Sequence, residues 1–127
     1  MKKYDLILAL LLSLFAIDAV ADYGQFTGEQ ICIAGIATNN GRSAKGIRVL
    51  AKQGNTISVA YTRDDGKIFG YSCQIAGNEI RWRDQSMNRW NKNIKLFYAL
   101  AENGGRLNIR SVVFGEAMSK SFTLADF

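Results

Sequence analysis

Residues 57–82 read ISVAYTRDDGKIFGYSCQIAGNEIRW and contain three runs in which apolar and polar residues alternate. Asp65-Gly66, a pair that favours a tight hairpin turn, separates the first two runs, and Gly77-Asn78 separates the last two. Alternation with a period of two is typical of strands that bury one face. The stretch therefore predicts two consecutive β-hairpins with a shared apolar face, formed by Ile57, Val59, Tyr61, Phe69, Tyr71, Cys73, Ile75, Ile80 and Trp82.

The same pattern continues on both sides of this stretch. Short turns rich in glycine, asparagine and aspartate recur about every ten residues, which is typical of an antiparallel meander. The sequence predicts six or seven strands in a sheet that is either flat or curled toward a barrel. The apolar positions of the outer strands are Ile47, Val49 and Ala51 before the central stretch, then Leu96, Tyr98 and Leu100, then Leu107, Ile109 and Val113, and finally Phe122 and Leu124.

A helix is predicted ahead of the meander. Thr27 and Gln30 have the spacing of a capping box, and the compact apolar segment 31–37 follows them. Asn39-Asn40-Gly41 supplies a stop signal, so the helix is expected over about residues 28–38, although a short buried strand is the alternative. Cys32, Gly35 and Ile36 share one face at helical spacing, and that face is expected to rest on the sheet. The predicted fold class is α+β, with one N-terminal helix packed on the meander.

Residues 1–21 have the pattern of a secretory signal peptide. Lys2 and Lys3 precede an apolar run at 6–17, and Ala19 and Ala21 give the small-x-small pattern of a cleavage site. A transmembrane anchor is the alternative, but a span needs roughly 20 apolar residues. We therefore expect cleavage after Ala21, a single globular domain over 22–127 without integral membrane insertion, and a periplasmic or secreted location.

Two cysteines, Cys32 and Cys73, occur in the chain. In an oxidising compartment, an even pair in a small domain is expected to form one disulfide. Two thiols without histidine are too few for a zinc site, and a redox pair is normally spaced as C-x-x-C. The sequence predicts a structural Cys32–Cys73 bridge.

The 127-residue chain contains no histidine. This excludes a Ser-His-Asp or Cys-His catalytic unit and any histidine-ligated metal. The carboxylates do not form an evident acid–base pair, because Asp64 and Asp65 fit turn chemistry, and Glu79 and Asp84 are expected to face different ways. The sequence therefore predicts a protein that is not an enzyme and has no cofactor or metal site.

The densest polar and aromatic cluster lies between residues 81 and 95, in a chain with a formal net charge of +5. Bases around an aromatic residue suit an anionic partner: arginines would meet phosphate or carboxylate, and Trp90 would stack on a base or a sugar ring. The alternative is a solvated strand face followed by a long hairpin loop at 84–93. Trp82 alternates in step with the apolar Ile80 and is expected to be buried. Trp90 lies among polar residues and is expected to be at least half exposed. The candidate binding residues are Arg81, Arg83, Arg89, Trp90, Lys92 and Lys95.

The central stretch resembles small exported bacterial proteins of unassigned function. The residues that carry this resemblance are Tyr61, Arg63, Asp64-Asp65-Gly66, Tyr71-Ser72-Cys73, Gly77, Ile80 and Trp82, after a cysteine-bearing helix. The resemblance implies the helix, the meander and the Cys32–Cys73 bridge, but no activity. The Tyr71-x-Cys73 element is also similar to exported inhibitors of c-type lysozyme, whose serine-glycine loop has no counterpart here.

Together these features predict an exported, non-enzymatic binding or inhibitor-type module. The alternatives are an accessory envelope protein of a mobile element, acting in phage or plasmid exclusion, and a toxin-immunity protein. A protein is the favoured partner, an anionic envelope polymer or a glycan is the second choice, and nucleic acid is disfavoured.

Overall fold

The computed structural model describes residues 22–127, so the predicted signal peptide lies outside the described part of the chain. Helix α1 spans Gly28–Asn40 and is followed by seven strands. The strands are β1 (Arg48–Gln53), β2 (Thr56–Thr62), β3 (Ile68–Ala76), β4 (Glu79–Asp84), β5 (Ile94–Ala101), β6 (Arg106–Val113) and β7 (Glu116–Phe122).

The seven strands form one antiparallel sheet in sequence order. Each strand pairs with the next, and the pairing found in residues 22–127 does not join β1 to β7, so the sheet is open rather than a closed barrel. The α+β prediction, one helix on an antiparallel meander, is confirmed. Within residues 22–127, no helix is long and apolar enough to cross a membrane.

Helix α1 begins at the residue that the sequence indicated and ends slightly later than predicted. The Thr27 side chain accepts from the Gln30 backbone N–H at 3.1 Å, and the Gln30 side chain accepts from the Thr27 N–H at 3.0 Å, which completes the capping box. Gly41 terminates the helix with φ of 63°, a left-handed conformation that suits glycine. The helix therefore runs two residues beyond the predicted end, up to this glycine.

The sheet curls around α1 and buries it on every side. All residues from 31 to 38 are buried, and strands β2 to β7 all contact the helix. The prediction of a single buried face at Cys32, Gly35 and Ile36 was therefore too narrow. A Cβ on Gly35 would come within 3.0 Å of the Ile80 side chain, so this glycine allows the helix to lie close to β4. The predicted disulfide between Cys32 and Cys73 is confirmed and joins α1 to β3.

The two edge strands differ from their predicted patterns. In β1, a bulge between Val49 and Ala51 breaks the expected alternation, and Val49 remains 44% exposed because the helix does not cover this edge. The last strand ends at Phe122 rather than continuing through Leu124, which belongs to a short 3₁₀ turn. The apolar residues of an edge strand are therefore a weaker guide to burial than those of the centre.

Tyr71 lies in the core, where its hydroxyl donates to Asn40 Oδ1 at 3.2 Å. Burial is the main cause that raises the pKa of Tyr71 above its usual value. Tyrosine in an unfolded chain has a pKa of about 10. The neutral phenol of the folded state therefore contributes stability that is intact below that pH and is lost as the pH rises further.

We accordingly expect the free energy of unfolding to fall more steeply above about pH 10 in the wild type than in a Tyr71→Phe variant. Urea unfolding at a series of pH values measures this slope, and absorbance at 295 nm follows the phenolate. Equal slopes for the two proteins would contradict the assignment.

Candidate functional site

The predicted cluster lies where the sheet is least regular. Strands β4 and β5 pair at only two positions, Glu79 with Phe97 and Ile80 with Leu96. Beyond them the two strands separate, and the loop at 85–93 occupies the space between their ends. Because this loop takes the place of strand pairing, it can present side chains that a regular hairpin would not.

Hydrogen bonds tie the loop to β4 and β5. The Asn91 backbone N–H donates to the Trp82 carbonyl at 2.7 Å, and the Trp82 indole N–H donates to the Ile94 carbonyl at 3.0 Å. Trp82 is buried, as predicted, with 6% of its surface exposed. Its ring packs beside the Tyr71 ring, with the two centroids 6.1 Å apart. The core tryptophan thus anchors the end of the loop that leads into β5.

Polar side chains within the loop fix its two turns. Asp84 Oδ1 accepts from the Ser86 backbone N–H at 2.9 Å and from the Ser86 hydroxyl at 2.8 Å. Asn91 Oδ1 accepts from the backbone N–H groups of Asn93 and Ile94, both at 2.9 Å. Such side-chain turns are a general way to order a loop without regular pairing. The sequence did not indicate a role for Asp84, and in the structure its carboxylate stabilises a turn.

The loop and the outer face of β4 enclose a cleft of about 710 Å³. Four cations line it, Arg81, Arg83, Arg89 and Lys92, together with the single carboxylate of Asp84, so the lining has a formal charge of +3. The remaining lining is mostly hydroxyl and amide: Ser86, Asn88, Asn91 and Asn93, with Met87 and Trp90. The amide groups were missed in the sequence analysis, although the density of asparagine in 88–93 was a visible signal.

Trp90 differs from its prediction. Its ring is partly buried instead of at least half exposed, because two arginines of β4 pack against it. The guanidinium carbons of Arg81 and Arg83 each lie 5.3 Å from the Trp90 ring centroid, within the range of cation–π contacts. The sequence pattern placed these arginines on the outer face but could not show that the loop would fold back over them. Trp90 therefore supports the two guanidinium groups, and its ring is less available for stacking on a ligand.

Five of the six predicted binding residues line the cleft. The sixth, Lys95, lies on β5 outside it, with its ammonium nitrogen 3.7 Å from Glu79 Oε2. Within residues 22–127, none of the four cations of the cleft forms an ion pair with a carboxylate. The Nε atom of Arg83 is also buried without a hydrogen-bond partner in this part of the chain.

A second cavity, of about 220 Å³, lies near the N-terminal end of α1 and is lined by Tyr23, Lys52 and Ile57 among others. The charged residue of this lining, Lys52, forms an ion pair with Glu29, with its ammonium nitrogen 3.0 Å from Glu29 Oε1. This cavity is smaller and has less charge available for a ligand than the cleft.

The Asp65 carboxylate stabilises the turn in which it lies. Asp65 accepts two hydrogen bonds from the Arg63 guanidinium, at 2.6 and 3.1 Å, and one from the Lys67 backbone N–H. The Arg63 hydrogen bonds are the main cause that lowers the pKa of the Asp65 carboxyl. Residues 22–127 contain no group of three or more potential metal-ligating His, Cys, Asp or Glu side chains.

The chain matches no protein-family description, no curated protein and no solved structure.

Proposed function

We propose that this chain is an exported, non-enzymatic binding module that holds an anionic group of a partner in the cleft between β4 and the 85–93 loop. The observation that carries the proposal is the set of four cations that converge on this cleft without an ion pair in residues 22–127. Like charges held together in a fold repel one another, and a partner of opposite charge removes that cost.

The chemistry of the cleft favours carboxylates. Guanidinium groups bind carboxylates through two parallel N–H···O bonds, and a guanidinium that stacks on an aromatic ring keeps its N–H edge free for such bonds. Arg81 and Arg83 both lie at cation–π distance from Trp90, and neither forms an ion pair within residues 22–127. Acidic side chains of a protein partner are the proposed ligand, which corresponds to an inhibitor-type role. An anionic envelope polymer or glycan is the second choice.

The proposed location is an oxidising compartment, the periplasm or the exterior of a bacterial cell. A disulfide between buried cysteines supports it, because disulfides persist in such compartments and are rare in the cytosol. The predicted signal peptide at 1–21 supports it independently. Sequencing the N-terminus of the protein from an envelope fraction tests both, since the proposal requires Asp22 as the first residue.

An accessory role in the envelope is the second candidate function. The open sheet favours it, because the edge strand β7 leaves backbone groups available for pairing with another chain. The genes adjacent to this one distinguish the candidates: a phage or transfer operon would favour exclusion, and a toxin gene would favour immunity.

A binding measurement tests the cleft directly. We expect the protein to bind polyglutamate, a simple carboxylate polymer, with an affinity that falls as salt rises. In the double variant Arg89→Ala/Trp90→Ala, the affinity is expected to fall by about tenfold or more, since one charged contact and the support of two others are lost. The melting temperature should change by only about a degree or two, because neither residue belongs to the core.

The control is Lys45→Ala/Arg48→Ala, which removes two cations away from the cleft, one more than the test variant. Its affinity for polyglutamate is expected to change by less than about threefold. If both double variants lose the same affinity, the binding reflects net charge and the cleft has no special role. If the wild type does not bind, the proposal of a carboxylate site is wrong.

A further inference from the structure

Strand β7 is an exposed and regular sheet edge. Its pairing with β6 runs from Leu107 opposite Phe122 to Val113 opposite Glu116 without a register shift, and no strand in residues 22–127 lies on its other side. Six of its seven residues are exposed. The other edge, β1, carries a bulge between Val49 and Ala51, which obstructs pairing with a further strand. β7 is therefore the edge better suited to accept another strand.

The hairpin turn determines which backbone groups of β7 are free. Phe114 and Gly115 have φ of 50° and 81°, which is the two-residue turn that matches the twist of antiparallel strands. In such a turn the flanking residues form a hydrogen-bonded pair, and hydrogen-bonded and open pairs then alternate along the strands. Ala117, Ser119 and Ser121 consequently direct their N–H and C=O groups away from β6.

The side chains of β7 have a symmetric charge pattern. Glu116 and Lys120 lie two residues before and two residues after Met118, on the face that carries Phe122 into the core. Neither charged residue forms an ion pair within residues 22–127. Met118 is 53% exposed between them, and Phe114 at the adjoining turn is 93% exposed. An antiparallel strand of the same sequence would place opposite charges against each other on both sides of Met118.

We propose that β7 is a homodimer interface in which two copies of the chain pair their β7 strands antiparallel, with Met118 opposite Met118 and Glu116 opposite Lys120 of the second copy. This register places Ala117 opposite Ser119, and both have the free backbone groups that a hydrogen-bonded pair requires. Opposite charges directly across a strand pair stabilise it, and like charges destabilise it. A second copy provides this match with its own Glu-x-x-x-Lys sequence, because the sequence complements itself when two copies run antiparallel. The interface does not depend on the function proposed for the cleft.

A charge exchange tests the pairing. Sedimentation of the protein purified from an envelope fraction is expected to show a reversible dimer whose dissociation constant rises about tenfold or more in Glu116→Lys, and likewise in Lys120→Glu, since each change creates two like-charge pairs. The double variant Glu116→Lys/Lys120→Glu is expected to restore the wild-type constant. A thermal melt of each variant confirms that it is folded. A wild type that stays monomeric at all concentrations, or a double variant that dimerises no better than the single ones, would overturn the proposal.

Engineered cysteines test the register. Cα atoms in an open antiparallel pair lie about 4.5 Å apart, which is within the range of a disulfide. Met118→Cys is therefore expected to form a covalent dimer on mild oxidation, seen on a non-reducing gel. Ser119→Cys is the matched control and is expected to stay monomeric on that gel, because residue 119 faces residue 117 of the second copy. Equal cross-linking of both variants, or cross-linking of Ser119→Cys alone, would contradict this register.

Discussion

Replacing Cys73 with serine is expected to lower the free energy of unfolding by about 2–5 kcal/mol. The bridge joins residues 41 positions apart, and the chain-entropy argument gives about 4 kcal/mol for a loop of that length. Both cysteines are fully buried, so the variant also places an unpaired thiol and a hydroxyl in the core. Urea unfolding under oxidising conditions measures the change.

The control separates the cross-link from the polar burial. Cys32→Ala/Cys73→Ala removes the bridge without leaving a thiol or a hydroxyl. Its free energy of unfolding is expected to fall by most of the amount lost in Cys73→Ser. Reduction of the wild type should approach the same stability. If the melting temperature of Cys73→Ser equals that of the wild type, the bridge does not contribute to stability as described.

Replacing Trp82 with alanine is expected to cost about 3–5 kcal/mol, the usual effect of deleting a large aromatic side chain from a core. Trp82 is 6% exposed, and its indole N–H is the donor to the Ile94 carbonyl where β5 begins. The substitution therefore removes packing on β4 and leaves an acceptor at the start of β5 without its donor. Urea unfolding measures the change.

Two further variants show which part of Trp82 matters. Trp82→Phe keeps most of the packing but removes the N–H donor, so its cost should be intermediate. Trp90→Ala removes a tryptophan from the outer face, where the ring is partly buried against two arginines, and its cost should be clearly smaller. Equal losses from Trp82→Ala and Trp90→Ala would contradict the assignment of the two faces.

The central features of the fold follow from local sequence signals. The capping box at Thr27, the glycine stop at Gly41 and the alternation in 57–82 each depend on residues close in the chain, so the sequence predicts them well. The disulfide was predictable for a different reason, since the chain has only two cysteines.

The features that were missed depend on residues distant in sequence. Residues 31–37 are apolar on every face of the helix, and this was a visible sign that α1 would be buried all round. The sequence does not show that the sheet curls to cover those faces. The exposure of Val49 reflects a bulge and the limit of the helix, neither of which has a signature in the strand itself. A pattern with a period of two gives the direction of a side chain but not the presence of a neighbour on that side.

The candidate site was predicted as a set of residues but not as a shape. Alternation placed Arg81 and Arg83 on the outer face, and the loop after them was evident from composition. The return of the loop over these arginines depends on the side-chain turns at Asp84 and Asn91 and on the indole of Trp82. These are individual hydrogen bonds, and sequence periodicity does not indicate them.

The two-residue pairing between β4 and β5 is the weakest junction in the sheet, so we expect the parts on either side of it to unfold as separate cooperative units. Strands β1 to β4 are extensively paired with one another, and so are β5 to β7. The disulfide joins α1 to β3, in the first of these two groups. The second unit is held by packing against the helix and by the short pairing with β4, without a covalent link of its own. Partial unfolding is therefore expected to release β5 to β7 together as one subglobal opening, with the helix retained on the remainder.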